Sequence, residues 1–138
     1  MEPNKAVQTV FLIDDNEIDL FIQKRYIELS SFAQQVVTFT SPVKALEAFN
    51  HDYSKPGLNS SGLIFLDLNM PILNGFEFLK RFNELSSDFS ERFKVVILSS
   101  SSSDADKNRA QEFPNVISFT SKPLNVDELE NINQMLGN

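Results

Sequence analysis

Three acids and one ammonium carry the chemistry that this 138-residue chain can do. Asp67 ends the apolar run Leu63-Ile64-Phe65-Leu66 and precedes the turn sequence Asn69-Met70-Pro71-Ile72-Leu73-Asn74-Gly75, a context that aims a carboxylate out of a buried strand. Asp14 and Asp15 close the apolar run Val10-Phe11-Leu12-Ile13, and Lys122-Pro123 follows the strand-like segment Val116 to Phe119. If these strands are parallel neighbours, their ends meet on one edge of a sheet, where open α/β sheets place their ligand sites. Gathered there, the four groups read as a magnesium-dependent phosphoryl site.

The hydrophobic period along the chain supplies such a sheet by switching repeatedly between strand and helix. Val7 to Ile13 reads as a buried strand, after which Ile18, Phe21, Ile22, Tyr26 and Leu29 recur at helical spacing. Gln34 to Phe39 is a second strand, and Ser41-Pro42 offers an N-cap and first-turn proline to a helix carrying Ala45, Leu46 and Phe49. His51 to Ser61 reads as a polar loop, which makes the lone histidine a solvent-exposed residue rather than a ligand. Strands follow at Leu63 to Leu66 and Phe93 to Leu98, separated by a helix marked by Phe76, Leu79 and Phe82. Ser103 and Asp106 resemble a capping box for a helix over Asp104 to Phe113, whose thin apolar face predicts weak packing. Asn125 can cap the last helix, with Val126, Leu129, Ile132 and Leu136 facing inward. Five strand-then-helix units imply parallel strands, right-handed crossovers and helices on both faces, an α/β doubly wound sheet. The expectation is one domain over residues 1–138, with a core from about 7 to 136 and no output domain.

Composition narrows the function. A net charge of -7 and the lack of a basic stripe argue against a nucleic-acid surface. With no cysteine there is no disulfide framework, thiol nucleophile or cysteine-ligated metal. No apolar stretch reaches the length of a membrane span, and Met1 to Ala6 lacks the apolar core of a signal peptide, so no membrane insertion and a cytoplasmic location are expected.

From about Val7 to Leu136 the chain resembles the receiver domain of two-component response regulators, of the CheY-like, stand-alone kind. The likeness rests on Asp14-Asp15 after the first strand, Asp67 with Met70-Pro71 and Asn74-Gly75 after the third, the hydroxyl residue Ser99 ending the fourth, and Lys122-Pro123. It implies a flavodoxin-like five-stranded sheet in the order 2-1-3-4-5 and a signalling phosphoacceptor rather than an enzyme. It further implies that Asp67 receives a phosphoryl group from a histidine kinase or histidine phosphotransfer protein. Mg2+ would be bound by Asp15, Asp67 and the backbone carbonyl of Asn69, with Asp14 acting largely through water. Lys122 would contact one phosphoryl oxygen and Ser99 another. Ser99 and Phe119 would act as a switch, altering the face made by the helix after the fourth strand, the fifth strand and the last helix. A separate downstream effector protein would read that face.

Taken singly, each feature has a plainer meaning: adjacent acids at a strand end are often a solvated turn, and a strand-end serine often satisfies backbone groups. It is the ordered set that carries the reading. A phosphohydrolase of the haloacid-dehalogenase type would need a second acid two residues after Asp67, where Asn69 stands. A flavin carrier would need a hydroxyl-rich phosphate loop in place of Asp14-Asp15-Asn16. A phosphorelay intermediate and a non-phosphorylated, receiver-like binding module are the remaining alternatives. Departures from the family pattern are mild: Ser99 replaces the commoner threonine, Ser100 a smaller residue, and Phe113-Pro114-Asn115 a glycine-alanine pair, which could displace the start of the fifth strand. Asn69 and Ser101 stand where family members tune their own dephosphorylation.

Overall fold

The computed structural model describes residues 7–52, 61–86, 88–100 and 103–136, and contains five parallel strands in the order β2-β1-β3-β4-β5. β1 (Val7–Ile13) lies between β2 (Ala33–Phe39) and β3 (Gly62–Asp67), followed by β4 (Phe93–Ser99) and β5 (Val116–Ser121) at the far edge. The register aligns the chemically interesting ends: Ile13 pairs with Leu66, Asp67 with Leu98, and Ser99 with Ser121. Asp14, Asp67 and Lys122 are thereby delivered to one edge by three different strands. The order and the parallel sense are those expected from the sequence, and Ser101 lies outside the described residues.

Alternation along the strands divides the core in two. Val10, Leu12, Leu63, Phe65, Val96 and Leu98 face α1 (Glu17–Leu29) and α6 (Val126–Met135), which contribute Leu20, Ile27, Leu129 and Ile132. Phe11, Ile13, Ile64, Leu66, Val95 and Ile97 face the other way, against α2 (Pro42–Asp52) and α3 (Gly75–Leu85). The second face is the aromatic one. Phe49 of α2 sits at its centre, with ring centroids 4.8 Å from Phe11, 4.9 Å from Phe82 and 5.2 Å from Phe93. The one-turn helix α4 (Phe89–Arg92) adds Phe89 to this group, and the Arg92 guanidinium lies 5.1 Å from the Phe93 ring. So short a helix carries no periodic signal, and the sequence reading passes over it.

Local differences from expectation have physical causes. α1 forms where the periodicity places it, yet Leu20, Gln23 and Ile27 are its buried residues, while Ile18 and Phe21 are 71% and 67% exposed. Spacing alone cannot choose between two stripes that are both compatible with a 3.6-residue period. On α6, Leu129 and Ile132 are buried as expected and Leu136 is partly so, but Val126 is 48% exposed because it belongs to the first turn, just past the Asn125 cap. The polar loop expected from His51 starts later, since His51 and Asp52 complete the last turn of α2, although His51 is exposed. α5 (Asp104–Ala110) stops short of Phe113 and buries Ala110 alone, in keeping with its thin apolar face. Tight turns from Glu112 to Arg109 and from Phe113 to Ala110 then lead to Asn115, whose side-chain amide pairs with that of Asn83. β5 begins at Val116 as expected, and the irregularity suggested by Phe113-Pro114-Asn115 is a register shift opposite Val95 and Val96.

Because Phe49 is fully buried among aromatic rings from four other positions, Phe49→Ala leaves a cavity that neighbouring rings cannot fill. We expect a loss of about 3–5 kcal/mol in urea unfolding at equilibrium. A loss under 1 kcal/mol would mean that this face relaxes freely.

Candidate functional site

The edge at the carboxyl ends of β1 and β3 is held by local hydrogen bonds that start two helices. Asn16 caps α1, its Oδ1 accepting from the amides of Ile18 and Asp19 at 2.9 and 3.1 Å. The amide of Asn16 in turn donates to Asp14 Oδ1 at 2.9 Å, so the helix start and the first acid are fixed together. After β3, the Gly75 amide donates to the Leu68 carbonyl, and Asn74 with Glu77 forms a reciprocal capping box on α3. Glycine at 75 permits this close approach: a Cβ there would lie 3.0 Å from the carbonyl oxygen of Asp67, tight enough that the loop would have to give. Between them Ile72 takes a positive φ of 72°, a strained conformation for a β-branched residue, and is 93% exposed.

Asp14 and Asp67 are buried, whereas Asp15 faces solvent. One carboxylate oxygen from each lies within 4.8 Å of the others, an all-oxygen set suited to a hard divalent cation. The Lys122 ammonium is 2.7 Å from Asp14, 3.0 Å from Asp19 and 3.3 Å from Asp67. Its backbone amide is anchored by the carbonyl of Ser99 at 2.8 Å, and the Lys122-Pro123 peptide bond is cis. Burial alone would lower the lysine pKa, but hydrogen bonds and charges from the acids outweigh it and the net shift is upward. For Asp67 the balance goes the other way. Desolvation, reinforced by the charge of Asp14, raises its pKa from 3.8 to about 6, despite opposition from Lys122 and the Asn69 amide.

The structure therefore brings Asp14, Asp15, Asp67 and Lys122 together. Asn69 is adjacent through its amide, 3.4 Å from Asp67 Oδ1, and the buried Ser99 adjoins through its backbone. Phe119 stands apart, half-buried on β5 opposite Ile97 and bordering a cavity of about 230 Å³ against Lys107 and Ala110 of α5. Two site residues escaped the sequence reading. Gln23 donates to Asp14 at 3.2 Å from the buried face of α1, and its phase with Leu20 and Ile27 was the available signal. Asp19 offered no such signal.

Residues 10–134 match the response regulator receiver domain family. The chain belongs to that family. A two-component response regulator from Cytophaga hutchinsonii is 28% identical, with a TM-score of 0.85 covering 96% of this chain and 98% of that one. A receiver protein from Dyadobacter fermentans is 26% identical with a TM-score of 0.81, covering 94% and 98%. The two-component response regulator ARR7 of Arabidopsis thaliana is 31% identical over 136 residues, matching 92% of this chain; the chain spans only 61% of that relative's length. The acid cluster and salt-bridged lysine match the phosphoacceptor site of CheY-type receivers, and a receiver is a phosphoacceptor rather than an enzyme of the ordinary kind. No helix among the described residues of this receiver is long and apolar enough to cross a membrane.

The shifted Asp67 pKa sets a pH dependence. Unfolded Asp67 titrates near 3.8 and folded Asp67 near 6, so between these values the folded receiver binds more protons and loses stability as pH rises. Above the folded value that cost is present in full. In metal-free protein, Asp67→Asn is therefore expected to raise the melting temperature near pH 7 and to have little effect near pH 3.5. Thermal melts followed by circular dichroism check this; an equal gain at both pH values contradicts it.

Proposed function

We propose that this receiver accepts a phosphoryl group on Asp67 from a histidine kinase or histidine phosphotransfer protein, in a Mg2+-dependent reaction. The observation that carries the reading is a buried strand-end carboxylate with an ammonium 3.3 Å away and two further acids beside it. In the transfer, an oxygen of Asp67 forms a bond to phosphorus as the bond from phosphorus to the donor's imidazole nitrogen breaks. The product is an acyl phosphate, so charge must be neutralised on both the acid and the incoming group. Asp15, Asp67 and the Asn69 carbonyl would hold Mg2+, with Asp14 acting through water. The cation, when bound, supplies that charge neutralisation. Lys122 would donate to one phosphoryl oxygen and Ser99, through its hydroxyl, to another.

A protein donor fits the surroundings of the site. Ile18, Phe21 and Ile22 on α1, the helix that starts beside Asp14, and Ile72 in the loop after Asp67 are exposed apolar residues, which suits a contact surface. On the far side, the weakly packed α5 and the cavity beside Phe119 leave room for the aromatic ring to move when phosphorylation recruits Ser99. The face formed by α5, β5 and α6 would then be read by a separate effector in the cytoplasm. Passage of the phosphoryl group onward in a relay is the alternative use of the same site, and a phosphotransfer screen against purified histidine proteins distinguishes the two.

Acetyl phosphate with Mg2+ is expected to add one phosphoryl group to the wild type and none to Asp67→Asn, read by intact mass. Equal modification of both proteins would remove Asp67 from this role. Mg2+ at a hundredfold excess over its dissociation constant should stabilise the wild type by about 2.7 kcal/mol. Asp15→Asn should lose most of that gain in a thermal titration, and full retention would contradict the assigned coordination.

A further inference from the structure

We propose that Asp19 is a positioning residue which holds the Lys122 ammonium in the unphosphorylated protein and must release it for phosphorylation, so that it restrains the rate. The inference rests on the proposed role of Asp67 and adds to it a residue outside the acid triad. A lysine ammonium has three N–H donors. Here three carboxylates claim them, and the two shortest contacts, 2.7 Å to Asp14 and 3.0 Å to Asp19, go to acids other than the acceptor. A phosphoryl group joined to Asp67 extends beyond the carboxylate that bears it and needs donors of its own.

The acids are not equally able to yield. The side chain of Asp14 is 1% exposed and also binds Gln23 and the Asn16 amide, so it is locked in place and an unpaired charge there would be buried. Asp19 is 37% exposed, at the start of α1, and water can replace its partner. It is the contact that gives way. Asp19 keeps favourable surroundings after release, since it lies in the first turn of a helix where a negative charge is stabilised by the exposed amides. Before release, its carboxylate competes with the incoming phosphoryl oxygens for the same ammonium and repels them. The side chains of Asp19, Ile22 and Gln23 also border an open cavity of about 260 Å³ with Ser100 and Lys122, so the ammonium has space in which to shift.

Two measurements test this. In metal-free, 15N-labelled protein, the contact with Asp19 should protect the Lys122 ammonium from solvent exchange; Asp19→Asn should broaden or remove its signal and Asp19→Glu should restore it. An unchanged signal in Asp19→Asn overturns the proposed contact. With acetyl phosphate and Mg2+, the second-order rate constant for phosphorylation of Asp19→Asn should exceed that of the wild type by about two- to fivefold, the ratio that corresponds to one solvent-facing ion pair. Glu17→Gln removes the same charge from the same helix turn without touching Lys122 and should leave the rate at the wild-type value. An equal gain in Glu17→Gln, or no gain in Asp19→Asn, overturns the restraint. A wild type that acquires no phosphoryl group refutes the underlying reading of Asp67 instead, while the ammonium signal still decides the contact.

Discussion

The Lys122 ammonium, set among Asp14, Asp19 and Asp67, is the interaction on which the arrangement of the site depends. Two of these acids are buried at the edge of a parallel sheet, where removal of water penalises every charge and the carboxylates repel one another. A single cation reaching all three limits that penalty without removing it: Asp67 remains displaced toward the neutral form, with a pKa of about 6. The geometry demands strands of matched length, because Asp14, Asp67 and Lys122 come from the ends of β1, β3 and β5, and Asp19 from the first turn of α1. A residue gained or lost in any one strand would carry its group away from the others.

The two faces of the sheet serve this edge differently. Below α2 and α3, Phe11, Phe49, Phe82, Phe89 and Phe93 form one continuous aromatic group, and the capping box at Asn74 ties α3 to the loop after Asp67. That side gives the acceptor a rigid support. Toward β5 the packing thins: α5 buries Ala110 alone, the β4–β5 ladder shifts register at Val95 and Val96, and a cavity opens beside Phe119. A charge added at the acids would meet firm packing on one side and space on the other, which favours the proposed rearrangement toward α5 and β5.

Much of this was legible in the sequence because buried parallel strands read as continuous apolar runs, and their ends show where polar residues must emerge. Leu63 to Leu66 followed by Asp67, and Val10 to Ile13 followed by Asp14, were sufficient to place the acids. What was not legible depended on the direction in which helices face. On α1 the stripe through Ile18, Phe21, Ile22 and Leu29 is as periodic as the one through Leu20, Gln23 and Ile27, and only the tertiary structure shows that the first is in water. The same uncertainty hid Gln23 as a partner of Asp14, while Asp19 as a partner of Lys122 was hidden because that contact joins distant parts of the chain. The one-turn helix at Phe89 was too short to produce a period, and Val126 was misplaced because a first-turn position is not yet covered by the sheet.

The central claim is that burial beside Asp14 raises the pKa of Asp67 in the metal-free protein and that Lys122, more than the Asn69 amide, holds back a larger shift. It is tested most directly by following the side-chain carboxyl 13C resonance of Asp67 against pH, in the wild type and in Lys122→Met. The account predicts a wild-type midpoint near 6 and a higher one in the variant. A wild-type midpoint at the ordinary carboxylate value, or one that does not rise when the ammonium is removed, would contradict it.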